Sequence, residues 1–470
     1  MGGLEFSEIA KKDLERTLRI DSEFYKKENL IIEQLLQKTK YLPLTKFVRV
    51  SDGNHMTISD RFASEGIPYY RGQDVKSFFI EDSNPVCIDD MSFNMPYMIR
   101  SHLQKGDVLL SIVGTIGKLS LVNSNQKATC SCKLAILRPK KESIGETIAT
   151  FLTSKYGQNQ IKKYTRGAVQ MGLILEDMDQ LLVPDFSEKF ITKISELFVN
   201  MNYIKFSSIT AYEEANSMLL NALAFEMQKE GDNIVHSEKS LTESFKSSGR
   251  LDAEYYHPKY DALFDMLRKY YTIPLGGQQG LVSIMKSIEP GSEAYLEEGV
   301  PFIRVSDVDK YEISTPPIML SKDIVPNIKD LYPKKDTILL SKDGSIGIAY
   351  KLEKDMEAVT SGALLHLTVK DSNVVLPDYL TLVLNSPIVQ LQAERDCNGA
   401  IIQHWKPSDI EKVLIPILDM SVQRKIASKV QESFRLRAES KRLLDLAVKT
   451  VEMAIESDEE SALLWLESQK

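Results

Sequence analysis

The sequence predicts an α+β protein: two similar mixed α/β modules separated by long antiparallel, coiled-coil-like helices, with an internal pseudo-two-fold repeat. Three observations carry this expectation. Short motifs recur in the same order about 231 residues apart. About 140 residues of each copy are rich in short apolar runs punctuated by Gly, Pro and Asp. Each copy then closes with a long stretch that lacks Gly and Pro and sets apolar residues three and four positions apart.

The recurrence is the firmest of the three. Arg19-Ile-Asp-Ser-Glu-Phe-Tyr25 returns as Arg250-Leu-Asp-Ala-Glu-Tyr-Tyr256, and Gly66-Ile-Pro-Tyr-Tyr-Arg71 returns as Gly299-Val-Pro-Phe-Ile-Arg304. Leu109-Leu-Ser-Ile-Val-Gly-Thr-Ile-Gly117 returns as Leu339-Leu-Ser-Lys-Asp-Gly-Ser-Ile-Gly347. Gly167-Ala168 and Val183-Pro184 match Gly399-Ala400 and Ile415-Pro416. One such match arises by chance; four collinear matches at offsets of 230 to 233 mark a duplication.

The elements follow in the same order in both copies. A short helix opens each, over Glu23–Lys38 and Glu254–Lys269. Apolar runs at Val108–Val113, Leu134–Leu137, Thr337–Leu340 and Leu364–Val369 have the length and flanking turn residues of strands. Short helices are expected within Ile144–Tyr164 and Pro377–Cys397. The closing stretches, Glu188 to Lys229 and Ser421 to Ser457, read as amphipathic helices. A helix of about 35 residues spans roughly 50 Å and needs a partner along its length. The two stripes can bury each other as an antiparallel pair. Tyr203, Phe206, Leu220 and Phe225 exceed what one seam requires. The expected segments are therefore an opening helical segment (1–42), a first module (43–184), a long helix with linker (185–249), a second opening segment (250–270), a second module (271–416), and a long helix with an acidic tail (417–470).

Composition bounds the class. The chain has 470 residues, of which 43% are hydrophobic and 26% charged, as in ordinary globular proteins. No apolar run reaches the ~18–20 residues of a membrane helix. Met1 to Arg16 is charged and has no apolar core, unlike a secretory leader. Four cysteines are too few for a disulfide framework, so a reducing, cytoplasmic setting is expected. The net charge of −8 weighs against a nucleic-acid partner, but local fields govern binding. Met98 to Arg166 carries 12 Lys/Arg against 3 Asp/Glu, whereas Asp445 to Lys470 carries 2 against 7.

Catalytic motifs are missing. Gly114-Thr-Ile-Gly-Lys118 has the wrong spacing for a phosphate loop. Asn84-Pro-Val-Cys87 lacks the second proline and the aromatic of an amino-methyltransferase motif. Asp74-Val-Lys76 has no paired acid for nuclease chemistry. Cys130-Ser-Cys132 has no second pair for zinc, and the six histidines form no cluster. No catalytic or metal-ligating residue is assigned, and the chain reads as a binding protein rather than an enzyme.

In layout and in these repeated motifs the chain resembles the specificity subunit of Type I restriction–modification systems. Its opening motif is also similar to the recognition parts of Type IIB and IIG systems, so the system type stays open. The resemblance implies that each module is a target recognition domain reading one half of a bipartite double-stranded DNA site. It implies that the helices set the gap and dock adenine-N6 methyltransferase subunits, and that motor-nuclease subunits are further partners. It implies no cofactor in this chain, with S-adenosylmethionine, ATP and Mg in the partners.

Candidate DNA-binding residues follow from the requirement for phosphate and base contacts. Lys118, Lys127, Lys133, Lys162, Lys163 and Arg166 lie in the basic stretch and suit phosphates, with a solvated surface as the plain alternative. Gly114, Gly117, Gly344 and Gly347 allow close backbone approach, to DNA or to a neighbouring strand. Arg71 and Arg304 can bond guanine bidentately or form a scaffold salt bridge. Gln170, and Gln403 with His404, follow the Gly-Ala turns; Lys342 and Lys406 complete the set. Trp405 fits the core better than a base. A protein scaffold with two paralogous binding modules is the main alternative function, and a bipartite transcription regulator is a third.

Overall fold

The computed structural model describes residues 6–14, 19–38, 40–167, 171–225, 238–316, 318–397 and 403–469. The chain divides into two compact units, Met1–Ile204 with Glu439–Lys470, and Lys205–Ala438. Each unit holds a main antiparallel sheet of four strands. In the first unit the spatial order is Val48–Asp52, Leu134–Pro139, Val108–Ser111, Leu119–Leu121. In the second it is Val282–Lys286, Leu364–Val369, Ile338–Ser341, Ala349–Lys351. The register also matches: Ser111 faces Leu134 and Ser341 faces Leu364. The central strands are mostly apolar, and their first four residues are buried on both faces.

A second, smaller sheet centres on Ile67–Tyr70 in one unit and on Val300–Ile303 in the other. Each central strand pairs in parallel with a short strand, Thr129–Cys130 or Val359–Thr360. The second unit adds the short strand Tyr295–Leu296, whose counterpart in the first is a single antiparallel bridge between Ala63 and Cys87. A two-stranded ribbon joins the ends of each module: Tyr41–Pro43 with Leu182–Pro184, and Thr272–Pro274 with Leu414–Pro416.

The repeated opening motif folds as a clasp. Arg19 Nε donates to Asp21 at 2.8 Å, and its guanidinium lies 4.4 Å from the Phe24 ring centre. Arg250 and Asp252 repeat the bond at 2.8 Å, with Tyr255 as the ring at 4.5 Å. A second cation meets the same ring in each case, Lys163 at 4.4 Å from Phe24 and Arg395 at 5.0 Å from Tyr255. The helix expected from Glu23 begins only at Lys27, because this clasp occupies its first residues.

The helical segments are each broken once by a serine. Ile144–Thr153 and Lys155–Tyr164 meet at Ser154, and Pro377–Asn385 and Pro387–Asp396 meet at Ser386. In the second copy Pro387 forces the residue before it to be extended. In the first there is no proline; Gly157 permits the corner, since a Cβ there would lie 2.4 Å from Phe151 O. Two glutamines then tie each second helix to the strands. Gln160 exchanges two hydrogen bonds with the backbone of Leu182, and Gln392 does the same with Leu414.

The long helices run over Glu188–Ala222 and Met420–Glu456. The first stops short of the expected Lys229, although no glycine or proline intervenes; residues 226–229 lie outside the described set. Ala224 takes φ 44°, Phe225 N donates to Leu220 O, and Ala224 N donates to Asn221 O. This is the Schellman arrangement, formed with alanine where glycine is usual. In the first unit Phe190, Ile194, Phe198 and Met201 share a core with Leu443, Ala447, Val451 and Ile455. In the second, Tyr212, Ala215, Leu219 and Leu223 share a core with Ile426 and Val430. Ser208 and Ser433 are fully buried and exchange hydrogen bonds, each Oγ donating to the other's carbonyl at 2.9 and 2.7 Å. Lys429 pairs with Glu214, so residue numbers run in opposite directions along the two helices there.

Two expectations change. Tyr203 and Phe206 are exposed, but Leu220 and Phe225 pack against the second unit's core rather than standing free. The acidic tail contains a helix, Glu459–Ser468, capped by Asp458, whose Ala462, Leu463 and Leu466 are buried in the first unit. Its acids sit outward while its aliphatic stripe docks. Among the described residues, no helix is long and apolar enough to cross a membrane.

Candidate nucleic-acid interface

Each main sheet ends in the same glycine loop. In the first unit Ser111 closes strand Val108–Ser111, and Gly117 N reaches back to Ser111 O at 3.0 Å. In the second, Gly347 N bonds Ser341 O at 2.9 Å. All four glycines have positive φ, 84° and 86° at Gly114 and Gly117, 74° and 77° at Gly344 and Gly347. Their surroundings divide them. A Cβ on Gly117 would meet Gln158 Oε1 at 2.9 Å, and one on Gly347 would meet Gln390 Nε2 at 2.7 Å. Nothing lies within 4 Å of that position at Gly114 or Gly344.

The glutamines explain the first pair. Gln158 Nε2 donates to Gly117 O and Leu152 O at 3.0 and 2.7 Å. Gln390 Nε2 donates to Gly347 O and Leu384 O at 2.8 and 2.9 Å. Gly117 and Gly347 are thus positions of close packing against an amide clamp, whereas Gly114 and Gly344 are exposed tips. These glutamines were not singled out from sequence, although their 232-residue separation fits the repeat.

Arg71 and Arg304 each open a short 3-10 turn. Arg71 N donates to Asp74 Oδ2 at 2.8 Å and Nε does so at 3.2 Å. Arg304 N donates to Asp307 at 2.9 Å, with Nε farther off at 3.5 Å. The first turn touches the loop, since Thr115 Oγ1 donates to Gly72 O at 3.0 Å.

Around the first loop the fold gathers Arg71, Gly114, Gly117, Lys118, Lys133 and Arg166. Lys133 O accepts from Ile112 N, and Arg166 bridges to Gly172, which in turn bridges to Val113. Arg166 Nη2 also holds Asp177 at 2.7 Å. Lys127 and Lys163 are held elsewhere: Lys127 by Asp90 at 2.6 Å, and the buried Lys163 by Glu33 at 2.8 Å. Lys162 is exposed on the helix Lys155–Tyr164. Gln170 lies outside the described residues.

Around the second loop stand Lys342, Asp343, Gly344, Gln403 and His404. Gly344 N donates to Gln403 O at 3.0 Å, and Trp405 N to Lys342 O at 2.8 Å. His404 Nδ1 donates to Asp343 Oδ1 at 2.8 Å, and Lys342 donates to Asp343 Oδ2. Burial pushes the Asp343 carboxyl up, but these two hydrogen bonds outweigh it and hold the group below its usual range. Trp405 is in the core, at 1% exposure. Lys406 is exposed beside it. Among the described residues, no group of three or more His, Cys, Asp or Glu is placed to hold a metal ion.

Fold and site together give two like units, each presenting a basic-flanked glycine loop at the end of its main sheet. Residues 282–444 match the family described as Type I restriction modification DNA specificity domain. The match covers about a third of the chain, most of it in the second unit, and it is to the family that the repeated motifs resemble. No curated protein matches the chain. Similar solved structures include the S subunit of a Type I restriction-modification system from M. genitalium, with 14% identity over 89% of this chain and 95% of that one, and a TM-score of 0.37. They also include the HsdS subunit from Thermoanaerobacter tengcongensis, with 15% identity over 90% of this chain and 96% of that one, and a TM-score of 0.29.

Proposed function

We propose that this chain is the DNA sequence-specificity subunit of a Type I-like restriction–modification complex. Each unit reads one half of a bipartite duplex site. The long helices form an antiparallel, coiled-coil-like ruler that sets the gap, and they dock adenine-N6 methyltransferase subunits. Motor-nuclease subunits are further partners. The chain itself is non-catalytic and works in the cytoplasm. S-adenosylmethionine, ATP and Mg act in the partners, outside this chain.

One observation carries the reading. The specificity-domain match includes the main sheet of the second unit, and the first unit repeats its strand order, its glycine loop and its glutamine clamps. Two units of one design suit two half-sites, and differing loop tips suit half-sites of different sequence. A helix of about 35 residues spans roughly 50 Å, enough to separate sites one turn of ~34 Å apart.

A protein scaffold with two paralogous modules is the second reading, favoured by the net charge of −8. Binding to random duplex pools under a salt titration separates the two. The DNA reading expects weak binding by the chain alone and a two-part motif with a fixed gap once methyltransferase is added. No enrichment in either condition rejects it.

A further inference from the structure

We infer that Asp343 is a specificity-determining residue of the second unit, a carboxylate that accepts a hydrogen bond from the exocyclic amino group of a base. That base is a cytosine (N4) or an adenine (N6) in the half-site read by that unit. The inference rests on the reading of the chain as a DNA specificity subunit.

Position is the first argument. Asp343 precedes Gly344, the exposed tip where no neighbour lies within 4 Å of a Cβ. Backbone without a side chain can approach a flat surface closely there, which brings the adjacent residue to base edges.

Orientation is the second. Both carboxylate oxygens are held, Oδ1 by the exposed His404 and Oδ2 by the buried Lys342. Lys342 is only 8% exposed, so its ammonium serves the carboxylate rather than a phosphate. The pairing offsets the repulsion that a lone acid meets beside phosphodiesters. Each oxygen keeps a second lone pair, and a carboxylate can only accept. In the major groove the donors on base edges are the cytosine and adenine amino groups, so the chemistry selects those bases.

The contrast with the first unit is the third. The same frame carries Val113 where the second carries Asp343, and Gly172 where it carries His404. Exposed Met171 and Ile174 flank that glycine. Neither Val113 nor Gly172 carries a side-chain acceptor at these two positions, and apolar groups suit a thymine methyl. The tips differ while the glutamine clamps behind them are the same, as expected if the tips discriminate.

The test uses the full chain with an adenine-N6 methyltransferase partner and duplex selection at one fixed salt concentration. Wild type gives a two-part motif. Asp343→Asn and Asp343→Ala keep the first half and the gap, and they lose roughly tenfold discrimination at a single position of the second half. The base lost there, cytosine or adenine, identifies the amino group. Deleting that amino group from the duplex costs wild type a similar factor and costs the variants nothing. This DNA-side arm also needs no altered protein: if removing no amino group in the second half-site weakens wild-type binding, the inference fails. An unaltered motif in the variants overturns it as well. So does an equal change in affinity for every sequence, which assigns Asp343 the role of a counter-ion. If wild type enriches no two-part motif, the underlying reading of the chain fails instead.

Discussion

At matched positions of the main sheet, one unit is apolar where the other is ionisable. Ile136 lies opposite Leu109 in the first unit; His366 lies opposite Leu339 in the second. Leu121 lies opposite Val108; Lys351 lies opposite Ile338. All four are buried. The frame is therefore set by strand order, register and the glutamine clamps, and it admits a titratable group at a core position where partners are supplied. Lys351 has three carboxylates nearby, Asp336 at 3.4 Å, Glu353 at 2.9 Å and Asp378 at 3.1 Å. His366 Nε2 bonds Thr360 Oγ1 at 2.8 Å, but its Nδ1 is buried without a partner among the described residues. The second unit should thus respond to charge and pH at places where the first does not.

The largest break in this comparison comes from giving the second unit the first unit's residue. Burial pushes the Lys351 ammonium down, and Asp378 with Glu353 more than restores it, so the lysine stays charged. Asp336 and Glu353 are about half exposed and add little. Asp378 is buried, and Lys351→Leu leaves its carboxylate, among the described residues, with Gln431 Nε2 at 2.8 Å as its remaining bond. The expected loss is about 3–5 kcal/mol in the second unit's unfolding transition, read by denaturant titration of the full chain. Lys351→Leu with Asp378→Leu should recover most of it. A neutral single variant would show that the pair is solvated after all.

Next in size is an effect of pH. Burial holds the His366 imidazole down to about 4, against an ordinary value of 6.5. The folded form prefers the neutral ring. Stability is complete above the unfolded pKa of 6.5, falls as the pH drops, and levels off near 4. The loss across that window amounts to about 3 kcal/mol. His366→Ile, which copies Ile136, should flatten this part of the second unit's stability profile. If the slope between pH 6.5 and 4 persists in the variant, other groups are responsible for it.

Sequence legibility follows the same division. Strands such as Leu364–Val369 could be read directly, because a buried run needs no distant partner to be recognised. The duplication gave the glycine loops and the long helices. What escaped depended on contacts across the fold. Lys163 reads as a surface cation until Glu33, 130 residues away, lies beside it. Arg166 likewise gains Asp177. The corner at Ser154 has no proline to announce it, unlike its twin at Ser386, and the central helix stops at an alanine in a glycine conformation. The contact of Asp343 with His404, 61 residues away, is likewise visible only in the fold.

The smallest effects sharpen the comparison from the other side, because they should be equal in the two units. Gly114→Ala and Gly344→Ala each place a Cβ in open space at positive φ, which costs about 1 kcal/mol of backbone strain. Gly117→Ala and Gly347→Ala carry the same strain and also push against Gln158 or Gln390, whose amide holds two carbonyls. Displacing that amide adds about 1 kcal/mol, for roughly 2 in all. Melting of the four single variants checks both the ranking within each loop and the equality between loops. The ranking separates a glycine required by packing from one required only by backbone conformation. Equality between the loops would mean that the frame is shared down to its hydrogen bonds. A large difference between Gly117→Ala and Gly347→Ala would mean that the two clamps, alike in geometry, are supported differently by the cores behind them.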